Sequence, residues 1–458
     1  MGRCDLCGRI VSQLFECENC GGSFCEEHKI PEKHGCPRKY VVDLASLRPA
    51  SKATVAPSLR QVRGLQEEYE LVRRMDREFD EYLDDLLKHR LDEIIEFGKR
   101  FSAIELAVYL VKNFGKILFF DPLLTLTQQY AIADVEIVNE AGGTSGRTGF
   151  NLALFGDPGT GKTFASKDFI LGDPDKGVPA HGLPGRNRYC GGMTPAKFIQ
   201  IGKAYEGKKY VFIVTEFREW FTRSPGMVEP LKLAMEHGVI TKETYREVIE
   251  PYRFTSFFSV NYNAIIKSGK EYKVSMKDPN FNAVEDRMLC RLHVLTKERY
   301  QALAEAQARA WLGETRYELA RKIRDHVTLV HAIETEHPKV VGSFSKKPIL
   351  LTRRVVEIIR KARETILEHI GYKDTLGFSP RLEMRALQLA SAFSLISYFK
   401  YEDKDVIPID EQSIRLALRF YVEEAAIRSK ESFDPHHILF DLGVYLADED
   451  LARGFGNL

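Results

Sequence analysis

The sequence predicts an α/β protein: a mainly parallel sheet between helices. A helical region and a small metal-binding finger precede it. Three observations carry this expectation. A glycine-rich loop, "GDPGTGKT" at 156–163, follows an apolar strand and opens a helix. Six of the eight cysteines fall in the first 36 residues. From about 58 to 101 the chain has no proline and repeats apolar residues at helical spacing.

The chain has 458 residues, room for about three domains at roughly 150 residues each. A hydrophobic fraction of 44% is enough for sizeable cores. The 66 basic and 65 acidic residues leave a formal charge of only +1, which argues against a globally polybasic protein. The start, "MGRCDLCGRI", has no apolar run of signal-peptide length. No stretch approaches the ~20 apolar residues that span a bilayer. The expectation is a soluble, intracellular (cytoplasmic) protein with no membrane partner.

The first forty residues hold Cys4, Cys7, Cys17, Cys20, Cys25, His28, His34 and Cys36. Clustering of this kind without a secretory signal favours metal over disulfides. Eight such ligands make two four-coordinate zinc sites, with no position left open for water, so the sites are structural. So short a segment cannot bury a stable core alone, and metal binding supplies its folding free energy. The spacing resembles the AN-one type of zinc finger. That resemblance implies a cross-braced pairing: Cys4, Cys7, Cys25 and His28 on one zinc, and Cys17, Cys20, His34 and Cys36 on the other. It also implies a binding module, often for protein partners. Phe15 and Phe24 fill its small core.

Between 58 and 101, Leu65, Val72, Phe79 and Leu86 recur every seven residues, and Asp76 interrupts the stripe. This is a long amphipathic helix or helical hairpin. Its apolar face is explained either by packing on the chain's own neighbouring helices or by a coiled-coil contact with another chain. "FSAIELAVYLVKNFGKILFF" (101–120) is a more buried helix, and "NEAGGTSGRTG" (139–149) a flexible Gly-rich lead into the next domain.

The loop Gly156, Asp157, Pro158, Gly159, Thr160, Gly161, Lys162, Thr163 matches G-x-x-x-x-G-K-[ST]. Its glycines let backbone N–H groups curl round a phosphate, and the helix start adds partial positive charge. Lys162 is placed for the β- and γ-phosphates of ATP and Thr163 for Mg2+. Downstream, "YVFIVTEF" (210–217) reads as a buried strand ending in Thr215-Glu216. Many nucleotide hydrolases have Asp-Glu there. Thr215 lacks the charge that steadies magnesium but keeps a hydroxyl. Glu216, the group that polarises water, is present. A slow ATPase follows.

The loop and the order of segments after it resemble the AAA+ superfamily and, more narrowly, the minichromosome maintenance (MCM) helicases. "GGMTPAKF" (191–198), "VFIVTEFREW" (211–220), "PLKLAMEHGVI" (230–240), "FTSFFSVNYN" (254–263), "NFNAVEDRMLCRL" (280–292), "GFSPRLEMRALQLASAF" (377–393) and "DVIPIDEQSIRLALRFYVE" (405–423) carry the likeness. It covers roughly 120–425, with a gap near 300–345. It implies an αβα sandwich with a helical lid, Asn261 as first sensor, and Arg287 as arginine finger, with Arg291 as its rival. It makes Arg381 the second sensor. It also implies a homo-oligomeric ring, hexameric in this family, in which Arg287 and Arg381 complete a neighbour's site. All four of Glu216, Asn261, Arg287 and Arg381 are thus expected at catalysis.

The likeness thins in places. "IQIGKAYEGKKY" (199–210) is too short for the first helicase hairpin. A second hairpin fits between Gly238 and Asn261, with "TKETYRE" (241–247) at its tip. There Lys242 and Arg246 are candidate DNA contacts, though Glu243 makes the tip mixed in sign. Arg186 and Arg188, in the long loop 171–192, are candidates for substrate or neighbour contacts. Cys190 is an ordinary small residue, and His436–His437 a cap or surface pair. Residues 297–335 are helical without a helicase counterpart. The expected domains are 1–45 finger, 46–138 helical region, 139–296 ATPase core, 297–345 insertion or connector, and 346–458 lid and tail. Three functions follow: ATP-driven DNA remodelling or translocation, protein remodelling recruited through the finger, and a nucleotide-gated scaffold with little turnover.

Overall fold

A computed structural model describes residues 2–17, 21–30, 33–34, 59–222, 226–244, 247–267, 271–274, 276, 278–370, 379–429 and 435–444. The chain divides into two compact units, Met1–Pro57 and Ser58–Leu458.

The first unit has two short antiparallel ribbons. β1 (Gly2–Arg3) pairs with β2 (Ile10–Val11), and β3 (Phe15–Glu16) pairs with β4 (Ser23–Phe24). Buried Cys4, Cys17, Phe24 and Cys25 form its centre.

The second unit opens with four helices: α1 (Leu59–His89), α2 (Leu91–Arg100), α3 (Ala103–Leu118, interrupted at Gly115) and α4 (Phe120–Ala131). There follow β5 (Glu136–Asn139), β6 (Thr144–Arg147) and β7 (Leu152–Gly156). A π-helical turn, Phe164–Asp168, runs into α5 (Phe169–Leu171). Next come β8 (Asn187–Cys190), α6 (Pro195–Gly202), β9 (Val211–Val214), α7 (Glu219–Thr222) and α8 (Val228–Met235). β10 (Val239–Thr244) and β11 (Glu247–Arg253) make a separate antiparallel hairpin. β12 (Phe257–Lys267), β13 (Glu271–Val274), α9 (Phe281–Glu285) and β14 (Leu289–His293) complete the central sheet region. The rest is α10 (Lys297–Trp311), α11 (Ala320–Glu334), β15 (Ile349–Leu351), α12 (Arg353–Ile370), α13 (Arg381–Leu395), β16 (Ile407–Pro408), α14 (Glu411–Arg428) and α15 (Pro435–Asp441).

The central sheet runs β14-β7-β12-β9-β8 with every pairing parallel, and β13 folds back antiparallel on β12. Both faces are covered, which is why β7 and β9 read as unbroken apolar runs rather than alternating ones. Leu152, Leu154, Val211 and Ile213 point into one core; Ala153, Phe155, Phe212 and Val214 point into the other. This period of two makes a three-layer α/β unit. Among the described residues no helix is long and apolar enough to cross a membrane.

α1 packs on its own chain. Phe79, Leu83 and Leu86 are fully buried in one core, while Val72 and Met75 join the other. Asp76, the interruption in its stripe, accepts hydrogen bonds from Arg186 (2.6 Å), Lys208 (2.7 Å) and the Tyr210 hydroxyl (2.7 Å). Arg186 and Arg188 are therefore not free for substrate. Arg188 pairs with Glu68 at 2.8 Å, and the Arg186 guanidinium lies 4.2 Å from the Phe79 ring.

The segment 139–149 differs from expectation too. It is the turn and second strand of the β5–β6 hairpin, where the Asn139 side chain accepts from the N–H groups of Ala141 and Gly143. This hairpin belongs to a small sheet ordered β16-β15-β5-β6, which ties the start of the unit to its C-terminal helices. The expected hairpin between Gly238 and Asn261 is present as β10–β11. Arg246 and the Lys242 side chain lie outside the described residues. No strand occupies 191–210, where α6 and a 3-10 turn stand instead.

Candidate functional site

In the finger, Cys4, Cys7, Cys25 and His28 present four ligand atoms within 4.8 Å of one another. Cys25 Sγ is 3.4 Å from His28 Nδ1, and Cys7 Sγ 3.8 Å from Cys25 Sγ. The Cys4 thiol is drawn down to about 5, chiefly by hydrogen bonding to the Cys7 backbone. Three thiols and an imidazole at this spacing fit a tetrahedral zinc ion. Of the second predicted set, Cys20 and Cys36 lie outside the described residues. Cys17 is buried, and the His34 ring stacks on Phe24 with centroids 3.8 Å apart.

The larger site is a cavity of about 1020 Å3 at the C-terminal edge of the central sheet. This is where open parallel sheets bind ligands. The glycine-rich loop forms its floor. Gly156 ends β7 with φ +130°, and a Cβ there would meet the His293 carbonyl oxygen at 2.0 Å, so only glycine fits. The loop is stapled to the end of β14: Asp157 N–H donates to His293 O (3.0 Å), and Leu295 N–H to the Asp157 carboxylate (2.9 Å). A helical segment runs from 162 to 171, so its first N–H groups face the cavity. Lys162 is buried and folds back on the loop, donating to the carbonyls of Gly156 (3.2 Å) and Asp157. Burial lowers its pKa. Thr163 is exposed in the cavity.

β9 delivers Thr215 and Glu216 to the same cavity. Thr215 is 9% exposed and its hydroxyl lies 3.1 Å from that of Tyr189 on β8; Glu216 is exposed. Asn261, on β12 between β7 and β9, is buried. Its amide donates to Ser166 Oγ at 2.8 Å, and its Oδ1 has no partner among the described residues. Asn263, two residues on and so on the same side of the strand, is exposed at the cavity.

The structure adds a group that sequence reasoning missed. The Thr296 hydroxyl caps α10 by accepting from Arg299 N–H (3.1 Å). The Arg299 guanidinium donates to Thr160 O in the loop (2.8 Å), to Asp121 Oδ2 (2.8 Å) and to His293 Nδ1 (3.2 Å). Asp121 also takes Arg291 at 2.6 Å and His293 Nε2 at 3.0 Å. Burial opposes ionisation of Asp121, but His293, Arg291 and Arg299 together hold its carboxyl far below the usual range. Burial in turn lowers the pKa of His293. Arg291 is thus committed beneath the loop rather than offered as a finger. An acid in the first turn of α4, at 121, was the available signal, but nothing local pairs it with residues 291–299. α10 and the chain after it, with Leu303, Ala306 and Tyr317, line the cavity's apolar side.

Arg287 and Arg381 are placed elsewhere. Leu289 pairs with Leu152 at the start of β7, so Arg287 stands at the end of the sheet opposite the loop. Arg287 bonds Ala283 O and pairs with Glu236 at 2.8 Å. Arg381 pairs with the same Glu236 (2.9 Å) and with Asp286 (2.8 Å). The two arginines thus meet around one carboxylate, away from their own chain's loop.

Cys190 is a buried small residue whose thiol burial pushes up to about 12, and His436 and His437 are exposed on α15.

Residues 3–41 match the AN1-like zinc finger family. No curated protein matches the chain. The chain therefore carries an AN1-type zinc finger followed by a mixed α/β unit with a parallel sheet.

Proposed function

We propose that residues 58–458 are an MCM-like AAA+ ATPase that works as a ring oligomer on DNA. One observation carries the reading. The loop "GDPGTGKT" ends the strand β7, flanked by β14 and β12, and the acid-tipped β9 comes next across the sheet. Glu216, Asn261 and Lys162 thereby line one cavity.

Lys162 and the loop N–H groups bind the β- and γ-phosphates once the lysine leaves the loop carbonyls it now contacts. Thr163 and Thr215 are the residues that would hold magnesium, through hydroxyls alone; the ion supplies phosphate charge shielding. Glu216 orients and polarises the attacking water. Asn261 lies behind the loop helix, its free Oδ1 available to a water at the γ-phosphate. Arg287 and Arg381, gathered on Glu236, are the groups offered to a neighbouring chain. The finger is a protein-recruiting module.

ATP turnover by the full chain, with and without single-stranded and duplex DNA, tests this. DNA-stimulated, magnesium-dependent phosphate release is expected. Turnover without any DNA effect, with a protein captured through residues 1–45, points to protein remodelling instead. No phosphate release overturns the enzyme reading.

A further inference from the structure

Resting on the nucleotide reading of the loop, we propose that Arg218 binds the terminal phosphate of the nucleotide within its own chain. It supplies positive charge that bound magnesium would otherwise have to supply.

Two features of the β9 end point this way. First, Thr215 leaves that end with one fewer negative charge than an Asp-Glu pair would give. Its hydroxyl sits beside the Tyr189 hydroxyl at 3.1 Å. Second, the turn after β9 sorts its residues by face. Phe217 and Trp220 are fully buried, while Glu216, Arg218 and Glu219 are exposed and line the cavity. The turn is set by Glu219 N–H donating to Glu216 O (3.0 Å) and Phe221 N–H to Arg218 O (3.1 Å). Glu219 lies with its carboxylate against Gly192.

Arg218 side-chain nitrogens make no hydrogen bond or ion pair with any described residue. The other arginines described above are all engaged: Arg299 with Thr160 and Asp121, Arg291 with Asp121 and Glu423, Arg287 and Arg381 with Glu236. A guanidinium without a partner, on the wall of the cavity that holds Lys162, has the charge and the fork geometry to take a phosphate through two parallel hydrogen bonds. A weakened magnesium seat and an added cation act in the same direction. Both lower the share of phosphate neutralisation that falls to the metal.

The test is binding of ATP and ADP to the zinc-loaded full chain by calorimetry, with magnesium and in buffer freed of divalent ions over resin. No chelator is added, so the finger keeps its metal. The parent chain is expected to lose less than about tenfold in ATP affinity when magnesium is omitted. Arg218→Gln is expected to weaken magnesium-free ATP binding by about 10- to 100-fold, the scale of a charge-assisted contact. Its ADP affinity should change by less than about threefold, and Arg218→Lys should recover part of the loss. Unchanged magnesium-free ATP affinity in Arg218→Gln, with parental binding through Lys162 intact, overturns this assignment alone. Absence of ATP binding in the parent even with magnesium, with Lys162→Ala no different, overturns the nucleotide reading and this inference with it.

Discussion

The finger and the cavity at the sheet edge hold their sites together in opposite ways. In the finger, four ligands between residues 4 and 28 meet within 4.8 Å, and among the described residues two short ribbons are their scaffold. In the cavity, the loop at 156–163 is held by His293 and Arg299, and these by Asp121 behind them, all far from the loop in sequence and brought to it by the fold. One site makes its own fold; the other is made by a fold. The first should fail locally and completely, the second remotely and by degrees.

Stripping zinc is the sharpest way to break that contrast. Zinc binding supplies on the order of 10 kcal/mol of folding free energy to such modules. Chelation should unfold the finger, read by exchange of its amide protons, while residues 58–458 keep their melting transition. Loss of that transition would show that the units are not independent. Glu216→Gln comes next. It should leave ATP affinity within about threefold of the parent and slow turnover by about 100- to 10,000-fold. Phosphate release at the parental rate would mean that β9 ends in an accidental acid.

Arg299→Ala asks whether a remote residue governs the loop. It strips Thr160 O of its donor and leaves Asp121 with fewer cations, so unfolding in urea should show a loss of about 3 kcal/mol. Weaker ATP binding should accompany it, whereas a stability loss with unaltered affinity would separate the two. The smallest effect concerns pH. Burial raises the Glu334 carboxyl from 4.5 to about 8. The folded chain therefore holds a proton there that the unfolded chain has released. Stability should fall as pH rises through that window, by at most ~1.4 kcal/mol per unit. Glu334→Gln should flatten the profile between those two values, and an unchanged slope in that variant would remove Glu334 as its source.

The same contrast explains what the sequence disclosed. The spacing of Cys4, Cys7, Cys25 and His28, the loop and the apolar run Val211–Val214 are local patterns, and each is found where its pattern puts it. The heptad stripe of α1 was legible as a helix, but its partner was not, because periodicity states that a face is covered without naming the cover. Asp76 looked like a flaw in that stripe until Arg186, Lys208 and Tyr210 were seen around it. β15 and β16 are three and two residues long, too short to show alternation, so the small sheet stayed hidden and its Gly-rich turn read as a flexible lead. Arg299 sits in a stretch rich in charge and alanine, where nothing local distinguishes it from a solvated neighbour.

Asp121 also bears on how the chain can be cut. Trimming at residue 139, where the sequence-based expectation begins the ATPase core, would keep every residue of the glycine-rich loop. It would discard the carboxylate that Arg291, His293 and Arg299 share, together with Asp76 and Glu68, the counter-ions of Arg186, Lys208 and Arg188. Five cationic side chains would each lose a carboxylate partner, two of them beneath the loop itself. A fragment that begins near residue 58 should express as a soluble, ATP-competent piece; one that begins at 139 should aggregate.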